Sequence, residues 1–158
     1  AALRKALDPS IPAVGVFVDD SLEHIGQLVT AGTIQIVQLH GCEDDAMIEA
    51  VQQTLKVRVI KAFSIASEAD VRQARCSRAD YILLDHGAGG TGDCFDWALL
   101  AHIDRPYFLA GGLNPDNASQ AAALQPFALD VSSGIETDGV KDKEKMKRFM
   151  AQVRAYRR

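Results

Sequence analysis

A polar or glycine residue closes each of six short apolar runs in this chain. These closing residues are Asp19, His40, Lys61, Asp85, Gly111-Gly112 and Ser132-Ser133-Gly134. Parallel strands covered by helices on both faces are apolar along their length, so polar groups collect where the strands emerge. Because all six runs carry such a group at the same end, a shared ligand site across the strand tops is the simplest interpretation.

Asp85 follows the apolar run Tyr81–Leu84 and precedes a glycine-rich segment, His86–Gly92. A carboxylate at the exit of an apolar strand is partly removed from water, which suits it to general acid catalysis. Capping of the following backbone is the alternative role for this aspartate. We expect the glycine-rich segment to close over a bound ligand.

Two glycine sites follow the last two predicted strands, Tyr107–Ala110 and Ala128–Val131. They are Gly111-Gly112 and Ser132-Ser133-Gly134. In an eight-stranded (β/α)₈ barrel, the loops after the last two strands commonly bind phosphate through backbone N–H groups. Glycine lets the backbone approach the phosphate closely, and a serine hydroxyl adds a donor. The pattern therefore predicts a phosphate site, with two ordinary tight turns as the alternative.

Three further side chains each have two interpretations. His40, in Gln38-Leu39-His40-Gly41, is either a substrate contact or a hydrogen-bonded histidine at a strand end. Asp130 lies inside the run Ala128–Val131, where a buried carboxylate should be paired or face a pocket. Lys61, at the end of Val57–Ile60, is either the Schiff-base nucleophile of a phosphosugar aldolase or an ion-pair partner.

The length and composition of the chain are those of one globular domain. The chain has 158 residues, of which 47% are apolar and 24% charged, with a formal net charge of −4. This charge disfavours nucleic acid as a partner, and no apolar run approaches the roughly 18 residues that a transmembrane helix needs. Cys42, Cys76 and Cys94 are odd in number and lack CxxC spacing, which is typical of reduced thiols in a cytoplasmic enzyme.

Helical patterns separate the six runs. Asn114 before Pro115 predicts a helix start, because asparagine is a good N-cap and proline suits the first helical position. The last helix is predicted from about Lys143 to Tyr156. Its expected buried residues are Met146, Phe149, Met150 and Val153.

Six βα units form either an open doubly wound sheet or part of an eight-stranded barrel. An open sheet binds its ligand at one switch point, whereas functional groups at all six strand ends favour the barrel. Ala1–Leu7 has the pattern of the end of a helix without its strand. We therefore expect residues 1–158 to form a single α/β domain, the C-terminal three-quarters of a (β/α)₈ TIM barrel, with strands 3 to 8.

Longer motifs surround these strand ends. They are Gln38-Leu39-His40-Gly41, Ile60-Lys61-Ala62-Phe63, Leu83-Leu84-Asp85, Gly89-Gly90-Thr91-Gly92, Phe95-Asp96-Trp97, Leu109–Pro115, Asp130–Glu136 and Gly139–Asp142. Taken together and in this order, they closely resemble the motifs of phosphoribosylanthranilate isomerase. The resemblance implies a (β/α)₈ barrel of tryptophan biosynthesis that needs neither cofactor nor metal.

The resemblance also implies a reaction, the Amadori rearrangement of N-(5-phosphoribosyl)anthranilate to the 1-deoxyribulose 5-phosphate product. It assigns the general acid to Asp85. The implied substrate-binding residues are His40, Gly111, Gly112, Asp130, Ser133 and Gly134. The implied partner is this small molecule, with no role for nucleic acid or a membrane.

The chain departs from the family at the general base. The family uses a cysteine in a Lys-Ile-Cys-Gly type motif, and none of the three cysteines here stands in one. We therefore expect a chain that lacks the N-terminal part of the family's barrel and that associates with that segment or with a second copy of itself. A catalytically dead phosphate-binding remnant is the non-enzymatic alternative.

Overall fold

The computed structural model describes residues 8–86 and 96–156. Its strands are β1 Val14–Phe17, β2 Ile36–Leu39, β3 Arg58–Ile65, β4 Tyr81–His86, β5 Tyr107–Leu109, β6 Ala128–Leu129, β7 Glu136–Thr137 and β8 Val140–Lys141. Its α-helices are α1 Leu22–Thr30, α2 Asp45–Ala50, α3 Glu68–Cys76, α4 Ala118–Ala123 and α5 Lys143–Tyr156. A π-helical turn, Val51–Leu55, continues α2, and two 3₁₀ helices span Trp97–His102 and Ser133–Ile135.

The first six strands follow one another in one sheet in chain order, and β7 and β8 form a separate antiparallel pair. The pairs β1–β2, β2–β3 and β5–β6 are parallel. In register, Phe17 of β1 lies beside Leu39 of β2, and Leu39 lies beside Lys61 of β3. All six predicted strands are present, and the prediction of an α/β fold is confirmed.

The chain comprises two compact units. The first unit is Ala1–Ala62 with Cys76–Ile82, and the second unit is Phe63–Arg75 with Leu83–Arg158. Within residues 8–86 and 96–156, no helix has the length and apolar character needed to cross a bilayer.

The core of the first unit lies where α1 and α2 cover β1 to β3. Ile25 of α1 and Ile48 of α2 are buried with Val37 and Val59 of the strands. The N-terminus of α1 is capped by Ser21, whose hydroxyl accepts the N–H of His24 at 3.2 Å. Parallel strands and amphipathic helices therefore build this unit as the periodicity predicts.

Two predictions fail in the second unit. Phe149 of α5 is buried, but Met146 and Met150 are 44% and 45% exposed, so the buried stripe is narrower than predicted. The helix expected to start at Pro115 begins three residues later, at Ala118. The Asn114 carboxamide oxygen still accepts backbone N–H groups, from Asp116 at 2.8 Å among others, but it stabilises a turn ahead of α4.

Candidate functional site

Asp85 is the penultimate residue of β4 in the second unit, and it is half-buried. The backbone of β4 is joined to the next strand end by a hydrogen bond from Ala110 N–H to Leu84 O, 2.9 Å long. Gly111 follows with a φ of +83°, and a Cβ built on it would lie 2.8 Å from Asp85 Oδ1 and 2.5 Å from His86 N. The Asp85 carboxylate therefore packs directly against the Gly111 backbone, and both the conformation and the space require glycine there.

The first glycine loop, Gly111–Leu113, is held by two carboxamide side chains. The carbonyl oxygen of Gly112 accepts the side-chain N–H groups of Asn114 at 3.2 Å and Asn117 at 3.0 Å. The C=O and N–H of a trans peptide point in opposite directions, so the N–H of Leu113 faces away from these two side chains. The loop thus presents a backbone donor on the side opposite its supports.

The second glycine loop, Ser132–Gly134, contacts the first one. A Cβ built on Gly134 would overlap the carbonyl oxygen of Leu113 and crowd Asn114 Cα. Ser132 and Ser133 are exposed, and the loop enters the 3₁₀ helix Ser133–Ile135. The structure therefore brings together the two predicted phosphate loops, and Gly134 is required by their close approach.

Lys141 supports the second glycine loop, a role that the sequence reasoning missed. Its ammonium donates to Ser132 O at 3.0 Å and Ser132 Oγ at 3.2 Å, and it pairs with Glu136 Oε1 at 2.7 Å. The β7–β8 hairpin places it there, because its turn residues Asp138 and Gly139 both have positive φ, 54° and 76°. An Asp-Gly pair between two short strands predicts such a type I′ hairpin, so the signal was present in the sequence.

Asp130 does not lie inside a strand. β6 ends at Leu129, and Asp130 is exposed just beyond it, with its N–H donating to Leu109 O at 2.8 Å. The prediction of a buried carboxylate at this position is wrong, because the apolar run extends beyond the part that pairs in the sheet. Asp130 nevertheless lies at the same end of the strands as the two glycine loops.

His40 belongs to the first unit and follows β2 directly. Its backbone N–H donates to Phe17 O at 2.8 Å, and the imidazole Nδ1 is 2.9 Å from Nε2 of the buried Gln38. The imidazole is exposed, so it is both a hydrogen-bonded histidine at a strand end and accessible to a ligand.

Lys61 is not at a strand end, because β3 runs from Arg58 to Ile65. Its side chain is 7% exposed and forms an ion pair of 3.2 Å with Glu43, whose side chain is 4% exposed. The ammonium also donates to Gly41 O at 2.7 Å and Ala62 O at 3.3 Å. The ion-pair interpretation is confirmed, and an amine whose three protons face these acceptors is not placed as a Schiff-base nucleophile.

Glu43 was missed by the sequence reasoning, although a lysine inside an apolar strand calls for an acidic partner. Its carboxylate accepts the N–H groups of Asp19 and Gly41, both at 2.9 Å. Burial acts to raise the pKa of the Glu43 carboxyl, but backbone N–H groups and Lys61 outweigh it and hold the pKa below its usual value. The pair therefore ties the chain segments that follow β1 and β2 to β3.

Some predicted features lie outside the described residues. Two of them are Cys94 and the glycine-rich segment that follows His86. Cys42 and Cys76 are described, and both are exposed. Within residues 8–86 and 96–156, no group of three or more His, Cys, Asp or Glu side chains could hold a metal ion.

Known proteins resemble this chain over most of its length. A family model described as N-(5'phosphoribosyl)anthranilate (PRA) isomerase matches residues 2–152. The N-(5'-phosphoribosyl)anthranilate isomerase of Endomicrobium trichonymphae is 43% identical over an alignment of 148 residues, and the match covers 90% of this chain and 72% of that protein.

Solved structures of phosphoribosyl anthranilate isomerases also resemble this chain. The crystal structure of phosphoribosyl anthranilate isomerase from Thermotoga maritima superposes with a TM-score of 0.88 at 35% identity, covering 98% of this chain and 78% of that one. A crystal structure of phosphoribosyl anthranilate isomerase in complex with reduced 1-(o-carboxyphenylamino)-1-deoxyribulose 5-phosphate gives a TM-score of 0.85 at 34% identity, covering 98% and 77%. The α/β fold is thus of the TIM-barrel type.

Proposed function

The chain belongs to the N-(5'-phosphoribosyl)anthranilate isomerase family, and we propose how its residues carry out the reaction for which the family is named. The chain acts in tryptophan biosynthesis as an aldose–ketose isomerase, and its substrate is a small phosphosugar. One observation carries the assignment of roles. The Asp85 carboxylate lies against the backbone of the first glycine loop, so an acid and a phosphate loop are neighbours in one unit.

We assign the general acid to Asp85. It protonates the ring oxygen of the ribose, which opens the ring to an imine. A base then removes the proton from C2′, and the resulting enolamine tautomerises to the ketone. The half-buried position of Asp85 near the end of an apolar strand, against the backbone of the first glycine loop, supports this role. We assign the base to none of Cys42, Cys76 and Cys94.

We assign phosphate binding to the two glycine loops. Their backbones touch at Gly134 and Leu113, and fixed carbonyl groups leave N–H donors on the open side of each loop. The residues involved are Gly111, Gly112, Ser133 and Gly134. His40 and Asp130 complete the assignment as substrate contacts, since both are exposed polar groups at strand ends.

We also propose that the six strands of the sheet correspond to strands 3 to 8 of an eight-stranded (β/α)₈ barrel. Their order in the sheet follows the chain, as successive βα units require. The placement of both glycine loops after β5 and β6 matches the position of phosphate loops after the last two barrel strands.

Asp85→Asn tests the acid. The amide keeps the shape but cannot supply the proton, so we expect turnover of N-(5-phosphoribosyl)anthranilate to fall about 10²–10⁴-fold with little change in KM. The matched control is Asp116→Asn, because Asp116 is an exposed carboxylate of the same unit that pairs with Arg148 at 2.9 Å. Near-normal turnover by the Asp85 variant would assign the acid elsewhere. Binding of the reduced product analogue without turnover by the unaltered chain would instead identify a catalytically dead remnant.

A further inference from the structure

The Lys141 side chain is half exposed, and its ammonium lies within hydrogen-bond distance of three acceptor oxygens. Two of these oxygens, the carbonyl and the hydroxyl oxygen, belong to Ser132, and the third belongs to the Glu136 carboxylate. A lysine ammonium has three donors and no acceptor. With these three contacts made, Lys141 has no further proton for a ligand, so it can act on ligand binding through Ser132 or through its charge.

The contact with the Ser132 carbonyl fixes the direction of the next backbone donor. In a trans peptide the C=O of Ser132 and the N–H of Ser133 are antiparallel. With the oxygen held at 3.0 Å by Lys141, the Ser133 N–H points away from the lysine. Accepting from Lys141 also leaves the Ser132 hydroxyl its own proton to donate to another group.

The first glycine loop is built in the same way. There, two carboxamide groups hold the Gly112 carbonyl and turn the Leu113 N–H away from them. The two loops touch where Gly134 meets the Leu113 carbonyl. Both loops thus have their carbonyl oxygens held by side chains, which leaves backbone N–H groups for an anion.

We propose that Lys141 is a positioning residue for phosphate binding, which orients the Ser133 N–H by holding the carbonyl and hydroxyl of Ser132. The inference rests on the proposed assignment of phosphate to the two glycine loops. Lys141 itself does not touch the phosphate, and Glu136 neutralises its charge at 2.7 Å.

The test uses inorganic phosphate, titrated into the full chain and followed by calorimetry. Lys141→Met should weaken phosphate binding about tenfold, the typical effect of losing a charge-assisted hydrogen bond at a binding loop. The matched control is Lys147→Met, which removes an exposed lysine of the same unit that also pairs at 2.7 Å, with Glu144. The control should bind phosphate within about twofold of the unaltered chain.

Two further variants separate positioning from charge and from general destabilisation. Lys141→Met with Glu136→Gln removes both charges of the pair, so its net charge matches that of the unaltered chain, and it should remain weak. Lys141→Arg keeps donors for Ser132 and should recover most of the affinity. The melting temperature of each variant without phosphate should stay within a few degrees of the starting value.

The outcomes are distinct. If the unaltered chain does not bind phosphate, the assignment of the two loops fails and the inference fails with it. If it binds phosphate and the Lys141 and Lys147 variants behave alike, only the inference is overturned. Recovery of affinity in the charge-neutral double variant, or a large fall in melting temperature that arginine does not correct, would also overturn it.

Discussion

Removing one partner of the buried Lys61–Glu43 pair should destabilise the protein much more than removing an exposed ion pair. The two side chains are 7% and 4% exposed, so a charge left alone at this position would have little contact with water. Loss of one partner of a buried pair typically costs about 3–5 kcal/mol, because the other charge stays buried and uncompensated. Exposed pairs contribute only about 0–1 kcal/mol.

The structure ranks the two single variants. Lys61→Met leaves the Glu43 carboxylate with the N–H groups of Asp19 and Gly41, so we expect a loss near the lower end, about 3 kcal/mol. Glu43→Leu leaves a buried ammonium and also removes the acceptor of those two N–H groups, of which the one on Gly41 is partly buried. We therefore expect about 5 kcal/mol or more for Glu43→Leu. The double variant removes both charges, so its loss should be smaller than the sum by at least about 3 kcal/mol.

Urea unfolding at pH 7, followed by far-UV circular dichroism, measures these differences. Lys147→Met is again the control, since Lys147 pairs with Glu144 on the surface of α5, and it should lie within about 0.5 kcal/mol of the unaltered chain. If Lys61→Met is as stable as this control, or if the two single losses simply add, the buried pair is not coupled in the way the geometry indicates.

Three further predictions follow from the site. Gly134→Ala should lower the free energy of unfolding by about 1–3 kcal/mol and abolish phosphate binding. A Cβ added at Gly139 meets open space, so Gly139→Ala should lower the free energy of unfolding only through the strain of its positive φ, by about 1 kcal/mol. Equal losses of stability in the two variants would contradict the close approach of the loops. The folded pKa of Glu43 is lowered, so its stabilisation is complete above the unfolded pKa of about 4.3 and is lost as pH falls through the folded pKa. The difference in urea stability between Glu43→Gln and the unaltered chain should therefore shrink as pH falls below about 4.3. A difference that stays constant down to pH 3 would refute this. A crystal grown with phosphate should show the anion on backbone N–H groups of the two glycine loops, Gly111–Leu113 and Ser132–Gly134. An anion near Lys61 with both loops empty would remove the phosphate assignment.

The strands were predictable because parallel strands must be apolar along their whole length. The positions at which the strands end were harder to predict. Lys61 was placed at a strand end because it is charged, yet β3 continues to Ile65. The strand can contain a lysine because Glu43, 18 residues earlier, compensates its charge. Such pairing depends on how two distant segments pack, which local sequence does not encode.

The candidate site likewise contains residues that the sequence predicts and contacts that it does not. Asp85 and the two glycine loops were identified because acids and glycines at strand ends are local signals. The reason for Gly134 is a contact with Leu113, 21 positions earlier, and only the fold reveals it. Met146 and Met150 follow helical periodicity but are exposed, whereas Phe149 is buried and Val153 half-buried, so the periodicity overestimates the width of the buried face of α5.

The hairpin that carries Lys141 has a consequence for how the protein folds. All of its contacts with the second glycine loop lie within nine residues of sequence, whereas the first glycine loop meets the second across about twenty. Short-range contacts cost little loop-closure entropy, and hairpins of this size close in about 1–10 μs. The segment Ser132–Asp142 can therefore acquire its local shape before the sheet is complete.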